Sequence, residues 1–162
     1  MRTYSSVWNN DAIGTGSAQS MINSPQSWSA LTNQVGEWMQ LDLGQEESVI
    51  GTVIQARADY DQYVTAYTVS TSLDGETWTE VSGVFYNGGY HGDLSSISGN
   101  ILSGGSSVRA RYVRLTVTSW ESHLSLRADV LIATGSGMSM GRQVLSRLNP
   151  SSLTHKITHP HI

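Results

Sequence analysis

Residues 38–43 alternate strictly, with Met39, Leu41 and Leu43 set against Trp38, Gln40 and Asp42. A period of two sends every second side chain to the same face, the signature of an extended strand half-buried against a core. The pattern resumes after a turn, from Val49 to Gln55. Residues 63–71 are rich in β-branched and aromatic side chains, and Ser72-Leu73-Asp74-Gly75 supplies a turn before Thr77-Trp78-Thr79-Glu80-Val81, so the two runs read as a hairpin. Val113, Leu115 and Val117 share one face. Further on, Leu124, Leu126, Ala128 and Val130 alternate with Ser125, Arg127, Asp129 and Leu131 in a last strand. Short strands separated by turns, with no amphipathic helix before residue 140 and no internal repeat, predict an all-β fold, either a sandwich or a squat barrel.

A chain of 162 residues holds one hydrophobic core of ordinary size and a short appendage. We expect a domain over residues 1–134 and a flexible tail over 135–162, because the strand pattern stops at Gly135-Ser136-Gly137. One or two helical turns are expected at residues 143–148. With no cysteine, stability must come from packing and backbone pairing, and thiolate metal sites are excluded. No 18-residue apolar run is present, and Met1-Arg2-Thr3-Tyr4-Ser5-Ser6 does not lead into an apolar signal core. A soluble chain is expected, cytoplasmic or secreted by a non-classical route. Residues 1–134 carry all 13 acidic side chains against 6 Arg and no Lys. Such a surface gains nothing from phosphate counterion release and is repelled by anionic headgroups, so nucleic acid and anionic membrane are not expected partners.

Four segments in order carry a family resemblance: Trp38-Met39-Gln40-Leu41-Asp42-Leu43-Gly44, the run from Tyr67 through Ser72-Leu73-Asp74-Gly75 to Trp78, Arg109-Ala110-Arg111-Tyr112-Val113-Arg114, and Ser119-Trp120 through Leu126-Arg127. Over residues 8–132 the chain resembles the discoidin domain family, also called coagulation-factor type C domains, and most closely the amoebal discoidin lectins. Arg57-Ala58-Asp59-Tyr60-Asp61-Gln62-Tyr63-Val64-Thr65 and Trp120-Glu121-Ser122-His123-Leu124 are similar to the lectin members in particular. The resemblance implies an eight-stranded antiparallel jelly-roll sandwich of the galactose-binding-like class. It also implies a non-catalytic domain that binds galactose or N-acetylgalactosamine through loops at one end, in adhesion or glycan recognition. Ile22-Asn23-Ser24-Pro25-Gln26-Ser27-Trp28 departs from the Asp-Gly-Asn turn usual in the family. Asn in place of Asp removes a charged ligand from the position where relatives hold a structural calcium, so no cofactor is expected. The run from Phe85 to Asp93 lacks the family's Asn-x-Asp-x-Asn pattern. The trimer-forming second domain of the discoidin lectins is also missing, which leaves homo-oligomer formation open.

A galactose-type sugar offers an apolar face of C–H groups and one axial hydroxyl, so its site needs an aromatic platform beside fixed donors and acceptors. Trp28 and Tyr60 stand at matching family positions as stacking candidates, with a loop-anchor role the alternative for Trp28. Arg57, Asp59, Asp61 and Gln62 cluster after a strand, where a planar guanidinium can grip vicinal hydroxyls or brace its own loop through a salt bridge. His123 is a donor candidate from a neighbouring loop, and Asn23 completes the set. Arg127 reads as structural, satisfied by Asp42 or Asp129, and Asp42 as one half of a buried pair. Gly137-Met138-Ser139-Met140-Gly141 matches a nucleophile elbow, but no acid follows Asp129 to complete a triad. His155, His159 and His161 have metal-like spacing that Pro160 and the lack of a fourth ligand count against. Gly14-Thr15-Gly16 fails as a dinucleotide fingerprint at Gln19. Two other readings use the same fold: a protein- or phospholipid-binding module inserting Ile22, Leu31 or Tyr90, and an accessory carbohydrate-binding module of a hydrolase.

Overall fold

The computed structural model describes residues 1–87, 97–102, 106–134, 137–140 and 157–158. The strands are β1 (Arg2–Tyr4), β2 (Trp28–Ser29), β3 (Trp38–Gln55), β4 (Tyr63–Ser72), β5 (Thr79–Tyr86), β6 (Ile97–Ile101), β7 (Val108–Glu121), β8 (Ser125–Thr134), β9 (Gly137–Met140) and β10 (Ile157–Thr158). Strands β1 to β8 build the antiparallel jelly-roll sandwich that the sequence resemblance implies.

The long strand β3 belongs to both layers. Residues 38–42 pair with β7, the register slips between Asp42 and Glu47, and residues 49–55 then pair with β8 and β6. Gly44, at φ +83, makes that break, and the Asp42 carboxylate accepts its N–H at 2.8 Å. A bulge of this kind lets one strand turn the corner of a sandwich. One layer therefore runs β1-β3-β7-β4-β5, and the other holds β6, β3 and β8, with β2 and β9 also on β8. Between them Met39, Leu41, Val113, Leu115, Val117 and Tyr67 meet Trp28, Ile54, Leu126, Ala128 and Val130. At Gly51 a Cβ would lie 2.5 Å from the Asn100 carbonyl oxygen, so only glycine lets β6 approach.

The alternation along β8 separates two faces that are both buried. Ser125, Arg127, Asp129 and Leu131 lie beneath the chain of residues 17–26 rather than in water. Arg2 ties that segment down, donating to the carbonyls of Ser20 (2.8 Å) and Ala128 (2.5 Å). Arg127 is structural, and main-chain carbonyls hold it. Its Nε donates to the Ala56 carbonyl at 2.7 Å and its Nη1 to the Ser24 carbonyl at 2.9 Å, while burial pushes the guanidinium down to about 10. The two expected partners are engaged elsewhere. Asp129 faces Arg2 at 3.7 Å, and Asp42 takes a two-pronged bond from Arg111 (2.9 and 3.2 Å) at a half-buried position rather than a sealed one. Ile22 is no loop tip either, because it is buried in a small outer cluster with Ile50, Val53 and Leu131.

Beyond residue 134, β9 pairs antiparallel with β8, Ser139 lying opposite Ile132, and β10 pairs parallel with β6. Gly141, residues 143–148, His155, His159, His161 and Tyr90 lie outside the described residues.

Candidate functional site

Pairing registers gather the candidate loops at one pole. Gln55, the last residue of β3, lies opposite Arg127 near the start of β8, and Tyr63, the first of β4, lies opposite Glu121 at the end of β7. The connections 56–62 and 122–124 therefore emerge side by side. Asn23 is bonded to Gln55 and Gln26 to Asp59, which brings residues 23–27 to the same end. Leu124 binds Asn33 Oδ1 through its N–H (2.8 Å) and the Ala30 N–H through its carbonyl (3.2 Å), which adds residues 30–36.

Arg57 organises the centre of this pole. Its Nε donates to Asp59 Oδ1 at 2.7 Å, its Nη2 to Gln26 Oε1 at 3.1 Å, and its Nη1 to Gln62 Oε1 at 3.3 Å. Gln26 Nε2 closes the ring on Asp59 Oδ2 at 3.2 Å. The guanidinium lies 4.7 Å from the Tyr60 ring centroid, and Tyr60 remains 57% exposed. Arg57 is thus a loop brace that also holds an aromatic face outward. Its hydrogen bonds hold Asp59 below the usual carboxylate range against the opposing effect of burial, with Gln26 adding to the shift. Asp61 is exposed beside Tyr63, whose phenol is pushed up first by burial and then by the Asp61 and Glu121 charges.

The remaining candidates separate. Trp28 is wholly buried and stacked on Tyr4 (5.6 Å, 14°), its Nε1 donating to the Ser6 carbonyl at 2.8 Å; it is a core anchor, unable to meet a ligand. Asn23, at φ +62, binds Gln55 twice, accepting at 3.0 Å and donating its backbone N–H at 2.8 Å, which fastens its loop to the end of β3. His123 Nε2 donates to the Ala30 carbonyl at 3.0 Å, and its ring meets Trp8 edge-on at 5.4 Å. Gln26 and Trp8 were not candidates from sequence. Asn9, Asn10, Asn23 and Ser122 are the non-glycine residues with positive φ among the described ones, and all sit in the loops of this pole. Left-handed backbone costs a non-glycine residue on the order of 1 kcal/mol, less for Asn, a penalty that persists where surrounding structure fixes the shape. Among the described residues no three His, Asp or Glu side chains converge closely enough to hold a metal ion.

Residues 3–130 match the family model of the F5/8 type C domain. The chain belongs to that family. Lactadherin of Bos taurus is 34% identical over 109 residues, covering 65% of this chain and 26% of that protein, so the chain spans about a quarter of this relative. Discoidin II of Dictyostelium discoideum superposes with a TM-score of 0.61 at 19% identity, covering 82% of this chain and 54% of that one. The Clostridium perfringens module CpGH89CBM32-5, solved in complex with GalNAc-β-1,3-galactose, gives a TM-score of 0.59 at 15% identity, covering 79% and 88%. At these identities the superpositions establish the fold.

In this F5/8 type C domain the loops 5–8 and 30–37 are tied together by Glu37. Burial pushes its carboxyl up, but donors from Ser5, Ser6 (2.7 Å), Gln34 (3.0 Å) and Thr32 (3.2 Å) outweigh it and hold the group below its ordinary value. A lowered folded-state value means stability that is present above the unfolded value and lost as pH falls through the folded one. Glu37→Gln is therefore expected to cost about 1–3 kcal/mol at neutral pH. Urea midpoints measured against pH should show the wild-type advantage shrinking on the acidic side only.

Proposed function

We propose that this domain binds carbohydrate of the galactose or N-acetylgalactosamine type at the loop pole. The observation that carries the reading is the Arg57 guanidinium seated beneath an exposed Tyr60 ring, closed into a ring with Asp59 and Gln26 and bonded also to Gln62. The apolar face of a pyranose stacks on the outer face of Tyr60, and Asp59 accepts from its hydroxyls. An Asp kept ionised by Arg57 suits that acceptor role and not that of an acid donating a proton. The network is assembled before ligand arrives, so little ordering cost falls on binding. The sugar complex of the C. perfringens neighbour supports the reading, and an accessory module of a hydrolase would use the same pole. A shallow loop site gives weak affinity per copy, so a role in adhesion requires several copies acting together.

The test is a glycan array probed with the domain multimerised on a carrier. Signal on galactose- and N-acetylgalactosamine-terminated glycans, competed by free galactose and not by glucose, is expected; no signal at any density overturns the proposal. A second reading, docking on a protein or phospholipid surface, draws on Leu31, which is 44% exposed at the same pole. The acidic domain surface opposes the lipid form of it, and pelleting with phosphatidylserine vesicles is expected to leave the domain in solution.

A further inference from the structure

We infer that Trp8 and His123 form a second sugar subsite beside the Arg57 ring, so that the pole recognises a disaccharide or longer chain rather than one monosaccharide. The inference rests on the carbohydrate reading and extends it to residues outside the Arg57 network.

Trp8 is 47% exposed and yet fixed. It begins a single 3-10 turn whose next two residues, Asn9 and Asn10, both adopt left-handed backbone at φ 58 and 55. A core role would bury the indole as it buries Trp28, and an ordinary solvated side chain needs no strained backbone to aim it. Its partner is equally constrained. His123 follows Ser122 at φ 60, and its Nε2 must donate to the Ala30 carbonyl at 3.0 Å. In the neutral ring Nδ1 is then an acceptor. The edge-on contact at 5.4 Å and 86° locks the two rings together while leaving nearly half of the indole open.

The spacing suits adjoining sugars. Ser125 Oγ lies 3.5 Å from Gln62 Oε1, which accepts from Arg57, and His123 precedes Ser125 by two residues. Two residues of chain span at most about 7 Å, so His123 stands close to the Arg57 ring. The Arg57 ring therefore takes the hydroxyls of one pyranose while Trp8 offers a stacking face to the C–H groups of the next, and His123 Nδ1 accepts from a hydroxyl of that second ring.

Isothermal titration of the whole chain with methyl galactoside and with a galactose-terminated disaccharide tests this. Wild type is expected to bind the disaccharide about tenfold tighter, the scale of one aromatic stack. Trp8→Ala should lose that advantage while its affinity for methyl galactoside stays within about twofold, and Trp8→Tyr should retain most of it, which separates a lost platform from a damaged fold. Equal affinity of wild type for the two ligands, or equal weakening of both by Trp8→Ala, overturns the second subsite and leaves the first intact. Absence of binding to either sugar by wild type overturns the carbohydrate reading, and the subsite with it.

Discussion

Trp28→Ala is expected to lower the unfolding free energy by about 3–5 kcal/mol, the range for emptying a buried tryptophan site. The indole is wholly buried, stacks on Tyr4 at 5.6 Å, and bonds the Ser6 carbonyl at 2.8 Å. Truncation leaves a cavity between the layers and a carbonyl without its donor, two losses that the rigid strands around it cannot relax away. Trp28→Phe keeps a stacking partner and should lose roughly half as much, separating packing from the hydrogen bond. Urea unfolding gives both numbers. Sugar affinity measured on the folded fraction should stay within about twofold of wild type, since Trp28 offers no surface to a ligand. A stability loss below about 1 kcal/mol would contradict the assignment of Trp28 to the core.

Arg57→Ala is expected to have the opposite profile. The guanidinium holds Asp59, Gln26 and Gln62 and supports the Tyr60 ring, so its removal loosens the polar groups proposed to meet the first sugar ring. Losing charge-assisted hydrogen bonds of this kind costs about 1.5–3 kcal/mol, or on the order of 10- to 100-fold in galactose affinity. Stability should move by no more than about 1 kcal/mol, because the Asp59 carboxylate it pairs with is 40% exposed. Arg57→Lys keeps the charge but not the fork of donors, and is expected to leave affinity nearly as weak as in the alanine variant. Titration calorimetry beside thermal unfolding reads both effects on one sample.

These two residues also mark what the sequence could convey. Alternation exposed the core faces of β3, β7 and β8 because a two-residue period is a local property of an extended chain. It could not show that Arg127 and Asp129 are buried on the other face, since what covers them is the path of residues 17–26, fixed by tertiary contacts through Arg2, Tyr4, Gln55 and Arg127 itself. The Arg57–Asp59 pair was legible because its members stand two residues apart. Gln26, 31 residues from Arg57, had no local signal to join it to the ring. Trp28, a stacking candidate that is buried, and Trp8, exposed and not a candidate, share a related reason: residue type states that an indole needs apolar contact, not what supplies it. A trace was present in Asn9-Asn10, a pair of the side chains that best tolerate left-handed backbone, placed directly after the exposed tryptophan.

Backbone amide shift mapping during titration with galactose, N-acetylgalactosamine and glucose tests the location of the site directly. Saturable shifts confined to residues 23–27, 56–62 and 122–124, strong with the first two sugars and weak with glucose, are the predicted result. Elsewhere the Arg114 guanidinium is packed between Trp38 (4.5 Å) and Trp78 (3.9 Å) on the side of the sandwich. Shifts centred on that side face, or none anywhere at saturating sugar, would contradict a sugar site at the loop pole.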